Sequence, residues 1–385
     1  MKSNSIGFSL VVTAVSLLGF TTLPAFAATF YNVLDLGTLE GDPEASFATG
    51  INDLGQVIGE SFNTFGTRTA FRTAPNSPIN PATDSILGNG PATTANGINN
   101  LGQVVGRTSG TGGPSTVSYT SSSNDGSIQE NFQLLDEANA INDLGQIAGT
   151  NNVSDPGFPR VVRAVRIDSN GGESNLGTLG GESSFGIGIN NLGQVVGSSD
   201  TANGESHAFR TAANSAINAA TDDLGTLGGS SSIAIDINDL GQVVGGSTTA
   251  SGQIHAFRTA ANSAINAATD DLGTLGGNFS VAYSINNSGL VVGDSELGDG
   301  SDRAFLYDGT KLFDLNTLIP ADSGIVLTSA LGINASGQIA ASGNGRAFLL
   351  TPVPEPTTML GVLAFGAGAG ILRKRAAKQK VKAST

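Results

Sequence analysis

The sequence predicts an all-β fold: a seven-bladed β-propeller of four-stranded repeats, each about 48 residues long, closed by pairing the strands at its two ends. Three observations carry this. A nine-residue motif recurs seven times at nearly constant spacing, and apolar residues alternate with period two in front of it. In addition, 54 glycines against 13 prolines in 385 residues supply many tight turns and leave little room for long helices.

The motif is INDLGQVIG at Ile51, and it returns at Ile98, Ile141, Ile189 and Ile237, with degenerate copies INNSGLVVG at Ile285 and INASGQIAA at Ile333. Its asparagines fall at 52, 99, 142, 190, 238, 286 and 334, in steps of 47, 43, 48, 48, 48 and 48. The same 23 residues, HAFRTAANSAINAATDDLGTLGG, occupy His207–Gly229 and again His255–Gly277. A catalytic site is used once, so the duplication points to architecture.

Each unit divides into four short strands. The first is the alternating run before the asparagine, as in Phe185, Ile187 and Ile189, or Ile233, Ile235 and Ile237, or Val281, Tyr283 and Ile285. A turn follows, made by Asn52 and Gly55, Asn99 and Gly102, Asn142 and Gly145, Asn190 and Gly193, Asn238 and Gly241, Asn286 and Gly289, and Asn334 and Gly337. Asparagine bonds its own backbone in turns, while glycine accepts the positive φ near the end of such a loop. The Gln-Val-Val-Gly run is the return strand. The third strand is the Ala-Phe element at 70–71, 208–209, 256–257, 304–305 and 347–348, with Ala164-Val165 and the weakest copy Val117-Ser118. The fourth is Asp-Leu-Gly-Thr-Leu, reached through an Asp308-Gly309 hairpin in one unit and through the outgrowth TAANSAINAATD in others. A parallel β-solenoid is the alternative, although it would show shorter rungs and no hairpin turns.

The ends of the array agree with a ring. The final repeat stops after AFLLTPV with no fourth strand, and an unpaired FYNVLDLGTL precedes the first repeat. Phe30 to Leu36 is therefore expected to complete the blade begun by Thr328 to Leu350, which leaves only short, protected edges.

The flanks read as addresses. Residues 1–27 have Lys2, an apolar run from Ile6 to Phe20 and Ala25-Phe26-Ala27, the order of a secretory signal peptide cleaved between Ala27 and Ala28. The body is 28–352. In 353–375, Thr357 to Leu372 carries no charge and is followed by Arg373, Lys374 and Arg375. These sixteen residues fall slightly short of the about 20 of a comfortable span. Basic residues stay cytoplasmic, so 376–385 is a basic cytoplasmic tail and the body lies outside.

Pro354-Glu355-Pro356, the glycine-rich apolar segment and the Arg-Lys-Arg stop together resemble the PEP-CTERM sorting signal of Gram-negative bacteria and cyanobacteria. The resemblance implies an exosortase-type membrane protease as partner, a transient inner-membrane anchor, and delivery to the cell surface or beyond. Such a tail is also described as an ice-binding protein C-terminal region; that label names a sorting tag, and the body shows no Thr-x-Thr ladder at fixed spacing. The repeats resemble the HAF family of extracellular repeats, on His207-Ala208-Phe209 and His255-Ala256-Phe257, over nearly all of 30–352, with departures in the second, third and last copies. That resemblance implies an exported bacterial protein and brings no catalytic residue with it.

The residues offer little chemistry. The absence of cysteine removes disulfides, thiolate nucleophiles and cysteine metal sites. The body has 11 Lys and Arg against 31 Asp and Glu, a surface that repels nucleic acid and anionic lipid. His207 and His255, the only histidines, share a repeat position where other copies carry Thr69, Arg163, Arg303 and Arg346, which reads as a polar strand edge rather than a catalytic or metal site. SNDGS around Asp125 and the stretch from Glu296 to Asp302 have too few carboxylates in register for calcium. Asp222-Asp223 and Asp270-Asp271 point to opposite strand faces and cannot act as an acid/base pair. GGSSS at Gly228 and GTGGPST at Gly110 read as linkers by composition. No phosphate loop, nucleophile elbow or dinucleotide fingerprint occurs, and no cofactor is expected.

The expected function is a non-enzymatic binding or structural module, with an extracellular glycan or a surface protein as partner. The long loops 73–84, 211–222 and 259–270 are its candidate contacts. An enzyme acting on extracellular polysaccharide is the alternative. Carboxylates drawn from several blades at the tunnel mouth would favour the enzyme; a tunnel lined by Gly, Ala, Ser and backbone would favour the module.

Overall fold

The computed structural model describes residues 30–40, 45–63, 66–86, 93–109, 116–121, 128–129, 135–153 and 161–354. The signal segment, the cleavage residues Ala27 and Ala28, and everything from Glu355 onward, including Pro356 and Arg373 to Arg375, lie outside them, as do Asp125 and 110–115. The fold is all-β, a β-propeller, and among the described residues its helical content is one 3₁₀ turn, Leu315–Thr317.

The unit that begins at Gly180 shows the plan. Gly180–Ile189, Val195–Thr201, Ser206–Arg210 and Asp223–Gly225 pair antiparallel in chain order. Gly228–Gly273 and Gly276–Asp314 repeat the arrangement, and single parallel bridges, Ser206 to Ser231 and Ile254 to Phe279, join each unit to the next. Thr93–Gln129 and Glu137–Asn175 each give another four-stranded sheet. Between Ser46 and Arg72 only three strands form where the sequence expects four. There, among the described residues, the fourth is reduced to one bridge, Phe71 to Ser85, held by Arg72 N to Asp84 O and Ile86 N to Ala70 O, both at 2.9 Å.

The chain ends meet. Tyr31–Asp35 pairs antiparallel with Arg346–Pro352, from Tyr31 opposite Pro352 to Asp35 opposite Phe348, and the sheet continues through Ile339–Gly343 to Leu327–Ile333. This is the pairing expected of Phe30 to Leu36. It is a sheet assembled from residues more than 300 positions apart, and Arg346 adds an ion pair to Asp35 at 3.3 Å.

Burial follows from how the sheets face one another. Val196, Ala208, Leu224 and Leu227 of one unit pack against Ala234, Ile237, Val243 and Phe257 of the next. Val244 and Ala256 pack in turn against Ala282, Ile285, Val291 and Phe305. Leu36, Ala340, Ala347 and Leu349 meet Ala48, Val57, Phe71 and Ile79, which brings the last sheet onto the first. The repeated motif encodes this packing: the Phe209 ring is fully buried over Gly197, where a Cβ would collide with the Phe185 carbonyl oxygen. Only glycine admits that approach of strand to strand.

The Gly-Gly-Ser-Ser-Ser stretch is not a linker, contrary to the reading from its composition. It opens the ten-residue strand Gly228–Ile237, and buried Ser232 explains why. Its Oγ donates to Gly225 O at 2.6 Å and accepts the Ala208 N–H of the preceding unit at 2.8 Å. Small residues are required here because two sheets approach each other and a hydroxyl must reach both.

The asparagine turns have a second role that the sequence did not disclose. Asn190 Oδ1 accepts from Leu192 N and Gln194 N, and the Gly193 N–H closes the turn on the Asn190 carbonyl. Gly193 has φ +75, and the glycines at the equivalent positions have similar positive values. Meanwhile Asn190 Nδ2 donates to Gln194 Oε1 at 2.8 Å and to the carbonyl of Asn238, in the next unit, at 3.1 Å. The same bond runs from Asn52 to Asn99, Asn99 to Asn142, Asn142 to Asn190, Asn238 to Asn286 and Asn286 to Asn334. Asn334 then donates to Asn52 O at 3.1 Å, so the circuit closes on itself.

Replacing Asn190 by Ala removes two acceptor and two donor bonds from a buried site, with an expected loss of about 2 to 4 kcal/mol. Asn190→Asp keeps the turn acceptor but loses the donor. Urea unfolding should find it nearly as damaging as Asn190→Ala; an Asp variant as stable as the parent would show that the turn alone matters.

Candidate functional site

Every inner strand carries a β-bulge. Pairing skips from Gly186 to Gly188, from Ala234 to Asp236 and from Ala282 to Ser284, leaving Ile187, Ile235 and Tyr283 unpaired. The same skip leaves out Thr49, Asn96, Asn139 and Leu331. An extra residue re-aims its side chain, and all seven line one axial cavity of about 760 Å³.

The wall is two-sided. Thr49, Asn96 and Asn139 form a polar arc, and each reaches the next unit: Thr49 Oγ1 to Ala95 O at 2.6 Å, Asn96 Nδ2 to Ala138 O at 2.9 Å, and Asn139 Nδ2 to Gly186 O at 2.8 Å. Ile187, Ile235, Tyr283 and Leu331 form an apolar arc, extended by Phe185 and Ile233, which are 41% and 38% exposed. The lining matches neither pattern set out from the sequence, since it is neither small residues alone nor a carboxylate cluster.

Among the described residues two carboxylates line this cavity, Glu137 and Asp236. Glu137 pairs with Arg107 at 3.0 Å. Asp236 accepts from Ile237 N at 2.8 Å and from Ile285 N and Ser284 Oγ at 3.0 Å, so it stitches two units together. Burial pushes its pKa up, against these three donors. Beside the cavity, Tyr283 Oη lies 3.4 Å from Asp294 Oδ2. Burial raises the Asp294 carboxyl to about 6, helped by the nearby Asp302 charge, and burial likewise raises the Tyr283 phenol to about 12. The equivalent positions to Asp294 are Ser198 and Gly246, so this unit differs from its neighbours.

At one end of the cavity the turns make a mouth of about 190 Å³. The residue after each asparagine alternates: Asp53, Asn100, Asp143, Asn191, Asp239, Asn287, then Ala335. Every backbone N–H of this ring except that of Asn287 donates to the next side chain, as in Asp143 N to Asn191 Oδ1 and Asn191 N to Asp239 Oδ1, both at 2.9 Å. Asn100 Nδ2 bonds Asp53 and Asp143, and Asn191 Nδ2 bonds Asp143 and Asp239. The alternation keeps like charges apart. Ala335 N reaches Asp53 Oδ1 at 2.8 Å, but the methyl at 335 offers Asn287 nothing.

The long loops rim the same face, and they are latched. Ile217 N donates to Leu176 O, Ile265 N to Leu224 O and Ile79 N to Leu36 O, each reaching the preceding unit. Asn76, Asn214 and Asn262 adopt positive φ, and Gln338, Gln146 and Gln194 bond their Oδ1 atoms. Buried Asp222 caps its loop by accepting from Asn218 N and Thr221 Oγ1, while its neighbour Asp223 turns to the other face. There Asp223 meets His207 Nδ1 at 2.9 Å, as Asp271 meets His255. Arg303 with Asp314 and Arg346 with Asp35 repeat the contact, which explains why His and Arg interchange at this position. Sequence reasoning missed the partner, although both residues recur in register. The Glu296 to Asp302 stretch is a turn, with Asp299 Oδ1 accepting from Ser301 N and Oγ. Among the described residues no cluster of three His, Cys, Asp or Glu is placed to hold a metal.

The model of a family described as a protein of unknown function, DUF3466, matches residues 183–346. No curated protein matches. Among solved structures the chain is similar to a gluconolactonase from Xanthomonas campestris, at 11% identity over 86% of this chain and 94% of that one, with a TM-score of 0.44. It is also similar to TolB from Acinetobacter baumannii, at 13% identity over 79% and 65% of the two chains and a TM-score of 0.45. The β-propeller domain of the Trilobed protease from Pyrococcus furiosus is a third, at 8% identity over 81% and 86%, with a TM-score of 0.32. These likenesses concern the fold and say nothing of what this chain does.

Two outcomes test the site's electrostatics. Ala335→Asn should complete the mouth ring and raise stability by about 0.5 to 1 kcal/mol, whereas Ala335→Asp sets a carboxylate beside Asp53 and should lower it. For Asp294 the folded form holds its proton more tightly than the unfolded chain does. The native state therefore loses stability as pH rises from about 4 through about 6. Asp294→Asn removes that loss. Thermal unfolding should show it stabilised by roughly 1 kcal/mol at pH 7.5, after allowance for partial exposure, and no more stable than the parent at pH 4.

Proposed function

We propose that the chain is a seven-bladed propeller acting as an exported, non-enzymatic binding or structural module of the cell surface or extracellular matrix. In this reading an exosortase-type protease recognises Pro354-Glu355-Pro356, and the segment Thr357 to Leu372 holds the chain in the membrane until it is processed. The closed circuit of seven asparagines supports the blade count. One observation supports the non-enzymatic reading above others: the carboxylates around the axis are occupied, with Asp53, Asp143 and Asp239 bonded by asparagines, Asp236 by three donors and Glu137 by Arg107. Each of these groups is engaged in holding the scaffold, which speaks against a pair of them serving as the acid and base of a hydrolase.

The two-sided cavity suits a sugar, which presents hydroxyls on its edge and C–H groups on its face. Asn96 and Asn139 would meet the edge, and Tyr283 with the isoleucines the face. The Tyr283–Asp294 pair favours a second reading, a polysaccharide hydrolase, because it gives one unit a carboxyl poised near neutral pH.

A glycan array with the purified chain, run beside a hydrolase screen, separates the two. The binding module predicts retention of a glycan without turnover, weakened roughly tenfold or more by Tyr283→Ala. Turnover abolished by Asp294→Asn would establish the enzyme instead.

A further inference from the structure

The tips of the asparagine turns carry a feature that glycan binding leaves unused. The third residue of the turn is Leu54, Leu101, Leu144, Leu192 and Leu240 in five copies, each between 52% and 60% exposed. The turn does not demand leucine, because Ser288 and Ser336 serve in the same geometry, with the same bond from the following glycine to the asparagine carbonyl. Five half-exposed leucines in an arc around one mouth form an apolar crown on a surface otherwise rich in acid.

The chain leaves the fold at this face. The last strand ends at Pro352 beside the turn glycine Gly337, and Gln338 of that turn bonds Thr351 Oγ1 at 3.2 Å. Four residues, Val353 to Pro356, then separate the strand from the uncharged run Thr357 to Leu372 and its Arg373–Arg375 stop. Four extended residues span at most about 14 Å. A bilayer holding that run therefore lies within reach of the crown.

We propose that the crown seats this face of the propeller on the membrane, with the five leucines entering the headgroup boundary of the bilayer that holds the chain's own apolar segment. The proposal rests on the reading of Thr357 to Leu372 as a membrane anchor. Each leucine alone contributes little, but the short tether keeps all five at the surface, so weak contacts act together. The acidic body and the mouth carboxylates Asp53, Asp143 and Asp239 disfavour anionic headgroups, so the surface is a zwitterionic one.

The chain has no cysteine, so Leu144→Cys gives a single site for an environment-sensitive dye. Asn203→Cys, in the turn at the opposite end of the strands, is the reference. The full chain is reconstituted with phosphatidylcholine and phosphatidylethanolamine vesicles carrying a lipid nitroxide. The expected result is that both variants float with the vesicles, and that the dye at 144 is quenched at least about threefold more than the dye at 203. Changing Leu54, Leu101, Leu192 and Leu240 to Ser should bring the signal at 144 down to that at 203. Flotation with equal, weak quenching at both sites overturns the crown contact while leaving the anchor in place. Failure to float overturns the anchor and the proposal with it. A dye at 144 shielded from aqueous iodide but not reached by the lipid nitroxide overturns it in favour of a protein partner or a second copy.

Discussion

The structure turns on one carboxamide per repeat. Asn190 and its equivalents spend Oδ1 inside their own turn and Nδ2 on the backbone of the next unit. No other side chain of that length offers an acceptor and a donor on one rigid plane. Aspartate would keep the turn and lose the link; serine would not reach across. This explains why the asparagine persists at 286 and 334, where the rest of the motif has drifted to INNSGLVVG and INASGQIAA. Hydrophobic contact between sheets tolerates exchange of Ile for Val, whereas a hydrogen bond between buried groups tolerates little.

Closure imposes a second constraint, visible at the mouth. Alternating aspartate and asparagine lets each carboxylate be bonded by a neighbouring amide and by a backbone N–H, and keeps the charges from adjoining. Around a ring with an odd number of positions, alternation fails once. Ala335 stands at that failure, between Asn287 and Asp53, where a second carboxylate would face Asp53 directly. The break falls in the sheet whose outer strand is supplied by the other end of the chain, so the ring's one irregular mouth position coincides with its covalent gap.

The sequence disclosed what is local and periodic. The strand pattern, the Asn-x-x-Gly turns, the Asp308-Gly309 hairpin and the strand near Phe30 that completes the last sheet all depend on residues close together or on an unpaired end. It hid what depends on register. Phe185, Ile187 and Ile189 look like one alternating face, yet the bulge takes Ile187 out of the ladder and leaves Ile189 buried. A bulge adds one residue and so shifts the phase of the alternation beyond it, and apolar residues at every second position conceal that shift from period-two counting. The contacts of His207 with Asp223 and of Arg346 with Asp35 were equally hidden, because loops of different length separate partners that the sheet sets side by side.

The bulges also bear on where individuality resides in so uniform a chain. Two units share 23 identical residues, and their bulge positions, 187 and 235, are both isoleucine. The others carry Thr49, Asn96, Asn139, Tyr283 and Leu331, all in the same backbone setting and all facing one cavity. A bulge residue has no cross-strand partner to match and little neighbour to pack against, so substitution there costs the scaffold little. Thr49, Asn96 and Asn139 bond across to the next unit, but Ile187 and Ile235 cannot, and the fold does not require them to. The repeated framework thus sets seven variable side chains at equivalent positions facing the axis. Any specificity the cavity possesses is written at those positions rather than in the motif that makes the repeats visible.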